Sequence, residues 1–159
     1  MSATFQWSES NGSSETVTDG ITNLNFGSTD APNLNASSYP IVAGENSYEK
    51  FIRGKFSGTF TQISNMKFWK SAGDYKPGES IKAAANVSYS TPTSSTSTIA
   101  TSDVPTSSST ALSIQAADGS NTITSPGYTK YICLQLQTTT STPAGAGNTK
   151  TFTFQYDEI

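Results

Sequence analysis

The stretch Ile52-Arg53-Gly54-Lys55-Phe56-Ser57-Gly58-Thr59-Phe60 decides the fold class. Ile52, Phe56 and Phe60 fall on one face at a period of two, and Arg53, Lys55, Ser57 and Thr59 fall on the other. A half-buried strand has this alternation, whereas a helix would repeat its apolar residues at three and four. Gly54 and Gly58 interrupt the inward face and predict a bulge or the close approach of another backbone.

Working outward, Thr151-Phe152-Thr153-Phe154-Gln155-Tyr156 alternates in the same way. Lys130-Tyr131-Ile132-Cys133-Leu134-Gln135-Leu136-Gln137 begins as a continuous apolar run and then alternates, which suits a central strand of a packed sheet. The strands of 48–60, 128–138 and 149–156 are therefore expected in the core, with weaker strands at 3–7, 15–26, 62–69 and 81–90. Only Ala111-Leu112-Ser113-Ile114-Gln115-Ala116-Ala117 offers a helical candidate, barely two turns long. The expectation is an all-β chain: one antiparallel β-sandwich over 1–159, jelly-roll or Ig-like, with long Ser/Thr-rich loops.

Turn residues separate these runs at Asp19-Gly20, Gly73-Asp74, Pro77-Gly78, Asp118-Gly119 and Pro126-Gly127. The stretch 139–148, with Pro143-Ala144-Gly145-Ala146-Gly147, reads as a hairpin tip joining the last two strands. In 90–110, 15 of 21 residues are Ser or Thr, and Ile99 and Val104 are too few to bury a face. That stretch reads as an extended loop with at most one edge strand, and loops so long are usually functional or disordered. Residues 1–29 read as an extended N-terminal arm.

Of 159 residues, 50 are Ser or Thr and only 27 are Leu, Ile, Val or Phe. So few apolar residues would imply disorder if the net charge were high, but it is −3 and 17 aromatic residues are present. A modest, aromatic-rich core is implied, one to which assembly would add stability. The first residues, Met1-Ser2-Ala3-Thr4-Phe5-Gln6-Trp7, have no basic and apolar leader pattern, and no run of about 18 apolar residues predicts a membrane span. The single cysteine, Cys133, has no partner for an internal disulfide and reads as a small buried thiol, in a protein that is made in a reducing cytoplasm or needs no bridge.

The chemistry points away from catalysis. There is no histidine, so serine–histidine and cysteine–histidine schemes and histidine metal sites are unavailable. The acids are scattered singly and read as surface groups, apart from Asp157-Glu158 at an end expected to fray. Gly145-Ala146-Gly147 is a turn rather than a phosphate loop, and no calcium loop is present. No catalytic, metal or cofactor-binding residues are therefore assigned, and no cofactor is expected.

Seven of the nine basic residues are Lys50, Arg53, Lys55, Lys67, Lys70, Lys76 and Lys82, interleaved with Phe51, Phe56, Phe60, Phe68, Trp69 and Tyr75. A nucleic-acid stacking sheet could look like this, but Phe56 and Phe60 share Ile52's face, as a core strand requires. A solvated outer face is the favoured reading and nucleic acid is not expected as a partner. The sequons at Asn11, Asn35 and Asn86 are about what chance supplies in so hydroxyl-rich a chain.

Tyr48-Glu49-Lys50-Phe51-Ile52-Arg53-Gly54-Lys55-Phe56 followed by Ile63-Ser64-Asn65-Met66-Lys67-Phe68-Trp69-Lys70-Ser71 resembles small virion structural proteins of tailed bacteriophages. Tyr128-Thr129-Lys130-Tyr131-Ile132 and Phe152-Thr153-Phe154-Gln155-Tyr156-Asp157-Glu158 resemble them too, so the likeness spans about half the chain in pieces. Capsid decoration (cement) proteins are the nearest type. The resemblance implies a non-enzymatic β-sandwich that binds the outer head shell at the virion surface after assembly in the host cytoplasm. The implied partners are the major capsid protein or other virion proteins, with a homo-oligomer, a trimer first, and no membrane. The arm and the 90–110 loop would make the contacts. A tail, baseplate or fibre component is the alternative, and a carbohydrate-binding β-sandwich with Trp7 or Trp69 as platform is the second, although either tryptophan fits a core.

Overall fold

The structure, a computed structural model, describes residues 2–159. It is an antiparallel β-sandwich without helices. The ten strands are β1 (Ala3–Asn11), β2 (Thr16–Asp19), β3 (Lys50–Gly58), β4 (Ile63–Ala72), β5 (Ser80–Val87), β6 (Ser102–Asp103), β7 (Leu112–Ser113), β8 (Gly127–Tyr128), β9 (Tyr131–Gln137) and β10 (Thr151–Glu158). The larger sheet runs β2-β1-β3-β9-β5-β6 with β8 also on β3, and the smaller runs β10-β4-β7.

Period-two faces meet between the layers. From the larger sheet come Phe5, Trp7, Ile52, Phe56, Ile81, Ile132 and Leu134. From the smaller come Met66, Phe68, Phe152, Phe154 and Tyr156. The rings interlock, with Phe5 stacked on Phe154 at 4.9 Å, Phe68 on Phe152 at 5.4 Å, and Tyr156 edge-on to Phe56 at 4.9 Å. With so few aliphatic residues, these aromatic pairs carry much of the interlayer contact.

The glycines of β3 have separate causes. Gly54 is buried on the inward face, and a Cβ there would lie 2.7 Å from the Phe5 ring, so what approaches is a side chain rather than a backbone. At Gly58 a backbone does approach: φ is +87°, and a Cβ would meet the Ser2 carbonyl at 2.7 Å.

Several expectations are corrected. Residues 3–11 are no arm: eight of them pair with β3, and Phe5 and Trp7 sit in the core (Met1 lies outside the described residues). The strand expected over 15–26 stops at Asp19, because Gly20 turns with φ +68°. Beyond it, Ile21, Leu24 and Phe26 pack from irregular backbone, which Asn33 Oδ1 holds by accepting the Thr22 N–H at 2.6 Å. Residues 111–117 form β7 and a bridge at Ala116 rather than a helix, since Ile114 and Ala116 both face the core at period two. Residues 139–148 are no hairpin tip. β9 already has β3 and β5 on its two edges, so the chain must cross to the smaller sheet to make β10.

The 90–110 stretch supplies the predicted edge strand, β6, but most of it is built in. It lies on the outer face of the larger sheet, where Tyr89, Ile99 and Ala100 cover Phe51, Tyr131 and Cys133 in a second small core. Ser97 Oγ donates to buried Glu49, and Ser97 N–H donates to buried Gln135 Oε1 at 2.9 Å. Val104 enters the main core. Polar latches thus supply what the apolar count lacks.

Candidate functional site

After the bulge at Asn65 (φ +51°), β4 turns Met66, Phe68 and Lys70 inward and Lys67, Trp69 and Ser71 outward. On β10 the outward residues are Thr151, Thr153 and Gln155. Thr153 pairs with Trp69 and Gln155 with Lys67, while Ser113 of β7 flanks Lys67 on the other side. Thr153 Oγ1 donates to Ser71 Oγ at 2.7 Å. The outcome is a hydroxyl-rich outer face with one half-buried tryptophan, Trp69, on it. Among the described strands, β4 is β10's only ladder partner, so the far edge of this eight-residue strand is open. Irregularities at Thr151/Phe152 and Gln155/Asp157, with the acids at its end, limit free pairing along that edge.

The tryptophans therefore separate. Trp7 is a core residue, edge-on to Phe68 at 5.8 Å and Phe154 at 5.4 Å. It borders a ≈ 200 Å³ hollow with Ile21, Leu24, Ile52, Phe68 and Phe152. Trp69 is the candidate platform.

The basic block is dispersed rather than gathered. Lys50 is buried on Glu9 at 2.8 Å, Lys55 meets Asp19 at 2.6 Å, and Lys82 meets Asp103 at 2.7 Å. Lys70 donates to the Gly73 carbonyl, and Lys76 to the carbonyls of 143–145. Phe51, Phe56 and Phe68 are fully buried, so the interleaved rings form no open stacking sheet.

Burial also overturns the surface reading of two acids. Glu9 and Glu49 are 0% and 2% exposed. Burial pushes the Glu9 carboxyl above its ordinary value, outweighing the Lys50 charge and the bonds from Lys50 and Asn11. Sequence could not show this, because the 27–34 segment that closes over Lys50 is irregular. Nor does the C-terminus fray: Asn65 donates to Asp157 at 2.5 Å, and the Ala3 N–H donates to Glu158 at 2.7 Å. Cys133 is a free buried thiol, and burial pushes its pKa up to about 12. The Asn11 sequon is buried on Glu9 and Asp30, and Asn86 bonds Ser113 and Gln115, while Asn35 is exposed. Among the described residues no group of three or more His, Cys, Asp or Glu side chains could hold a metal ion.

Comparisons with protein families, curated proteins and solved structures find no match to this chain.

Proposed function

We propose that this protein is a non-enzymatic structural protein of a tailed-phage virion, a decoration protein that docks on the outer head shell through its smaller sheet. The open β10 edge with Trp69 beside it carries this reading. An edge strand offers a row of backbone donors and acceptors to a neighbouring chain, and a half-buried tryptophan on a low-charge face is an anchor that aromatic-rich interface cores favour. Binding only the folded form would stabilise both partners by mass action. The partner would be the major capsid protein, and the decorating form a closed homo-oligomer, a trimer first. The arm-and-loop contact is given up, because residues 3–11 and most of 90–110 are part of the fold.

The test mixes purified protein with undecorated heads and, separately, with tails, followed by sedimentation. The parent should sediment with heads, while Trp69→Ala and Thr153→Lys should remain in the supernatant with unchanged circular dichroism. Retention on tails alone would move the protein to the tail, baseplate or fibre class. Equal retention of all three proteins would refute docking through this face.

A second reading has its own observation. Trp69, flanked by Thr153, Ser71, Gln155 and Lys67, also offers the geometry for a sugar ring stacked on indole with hydroxyl partners around it. Quenching of Trp69 fluorescence by a neutral oligosaccharide, lost in Trp69→Ala, would favour this carbohydrate-binding reading.

A further inference from the structure

The chain has one arginine, and its surroundings differ from those of the other cations. Arg53 stands on the outer face of β3, where the ladder is interrupted: β8 ends at Tyr128, β9 starts at Tyr131, and Thr129-Lys130 bends away between them. The Thr129 N–H donates to the Gly54 carbonyl, while the Lys130 N–H donates to the Gln115 carbonyl, drawing the chain off β3. An open cleft of ≈ 380 Å³ results beside Arg53.

The guanidinium is held between two rings, its carbon 3.9 Å from the Tyr128 centroid and 4.5 Å from that of Tyr131. With two rings packed against the guanidinium, its N–H groups are what remain to bond a ligand. Yet none of the four ion pairs among the described residues includes Arg53, and its Nε is buried without a partner. A buried donor left unmatched is unusual and calls for an explanation. The rings orient the fork and no carboxylate is paired directly with it, which is the preparation that two-point recognition of an oxyanion needs.

We propose that this cleft binds a hydroxylated carboxylate, such as a hexuronate unit of an acidic glycan, with Arg53 gripping the carboxylate through its terminal Nη N–H groups, beside the buried Nε–H. The other lining groups select among anions. Lys130 adds a second positive charge, and Glu15, whose Oε1 accepts from Tyr131 at 2.6 Å, subtracts one. The remaining charge of about one suits a monoanion better than a phosphate dianion. The Glu15 oxygen away from Tyr131, and Ser88, can bond sugar hydroxyls. A cleft of this size accommodates one ring. The site lies on the sheet opposite the docking face and is independent of the proposed function.

Because the chain has one arginine, its Nε–H gives a single side-chain resonance in a nitrogen–proton spectrum. Titration of the full protein with sodium D-glucuronate at constant ionic strength should move that resonance saturably, with the amides of 129–131. D-glucose should not move it, and phosphate should bind more weakly. Lys130→Ala should weaken glucuronate binding roughly two- to fivefold, as for one exposed charge contact. Glu15→Gln, which keeps the Tyr131 bond, should tighten it by a similar factor. Arg53→Lys, followed by the amides, should weaken it at least about tenfold through loss of the planar fork. An unmoved or non-saturating resonance, an equal response to glucose, tighter binding of phosphate, or indifference to both Lys130→Ala and Glu15→Gln would overturn the proposal.

Discussion

Lys50→Met tests how the closed end of the sandwich is held. Lys50 and Glu9 are 1% and 0% exposed and 2.8 Å apart, and Lys50 also donates to the Ala31 carbonyl at 2.8 Å. Glu9 Oε1 accepts from Asn11 as well, but Oε2 has no partner. Removing the ammonium leaves a buried carboxylate whose only bond is from Asn11, and breaking such a pair from one side typically costs about 3–5 kcal/mol. At about 2–4 °C per kcal/mol for a domain of this size, the melting temperature should fall by roughly 6–20 °C. Glu9→Leu with Lys50→Met should recover most of that loss, because an apolar pair carries no desolvation penalty. The carboxyl also sets a pH dependence. Its folded pKa is raised, so its contribution is fully present below the ordinary glutamate range and declines as pH rises through the raised value. Lys50→Met should extend that decline to higher pH. Urea unfolding followed by Trp7 fluorescence, from pH 4 to 8, measures each quantity. A single variant within about 1 kcal/mol of the parent, or a double variant as unstable as the two singles summed, would refute the account.

Gly54→Val should destabilise by roughly 1–3 kcal/mol in chemical denaturation, since its Cβ would enter the Phe5 ring, and Phe5→Leu should relieve part of that loss. Cys133 should resist a disulfide reagent in the native protein, and Ser97→Ala should accelerate its modification measurably by unlatching the chain over it. Asp19 is held below its ordinary value because bonds from Lys55, Ser8 and Tyr128 outweigh its desolvation. Its contribution is therefore present above the ordinary aspartate range and lost as pH falls through the lowered value. Asp19→Asn should remove that acid-limb slope, worth about 0.2–1 kcal/mol for so exposed a pair.

Strand identity was legible wherever alternation ran for several residues, as at Ile52-Phe56 and Phe152-Phe154-Tyr156, because one buried face imposes a period of two. The continuous apolar run at 131–134 correctly marked a central strand, β9, which lies between β3 and β5. What covers its outer face was not legible: Ser97 and Thr93 bond Glu49 through contacts more than forty residues apart, and a run of hydroxyls looks alike whether solvated or latched. The same blindness hid the Lys50–Glu9 pair. Sheet membership of the last strand also escaped, since pattern shows which face is buried but not whose edge is free. At the candidate surface, Trp7 and Trp69 were offered alike as platforms, and only the Asn65 bulge decides that Trp69 points outward. The cleft at Arg53 depends on a break in a neighbouring ladder, for which Thr129-Lys130 carries no local signal.

The central place of β9 governs when the larger sheet can exist during synthesis. Until residues 131–137 emerge from the ribosome, β2-β1-β3 and β5-β6 are separate ribbons, each with an exposed edge awaiting the same strand. A nascent chain released before that point carries two sticky borders and no means of closing them, and pairings so distant in sequence form slowly. Ribosome-stalled chains ending near residue 128 should therefore bind holding chaperones and succumb to protease, while chains extended past β10 and clear of the exit tunnel should resist it.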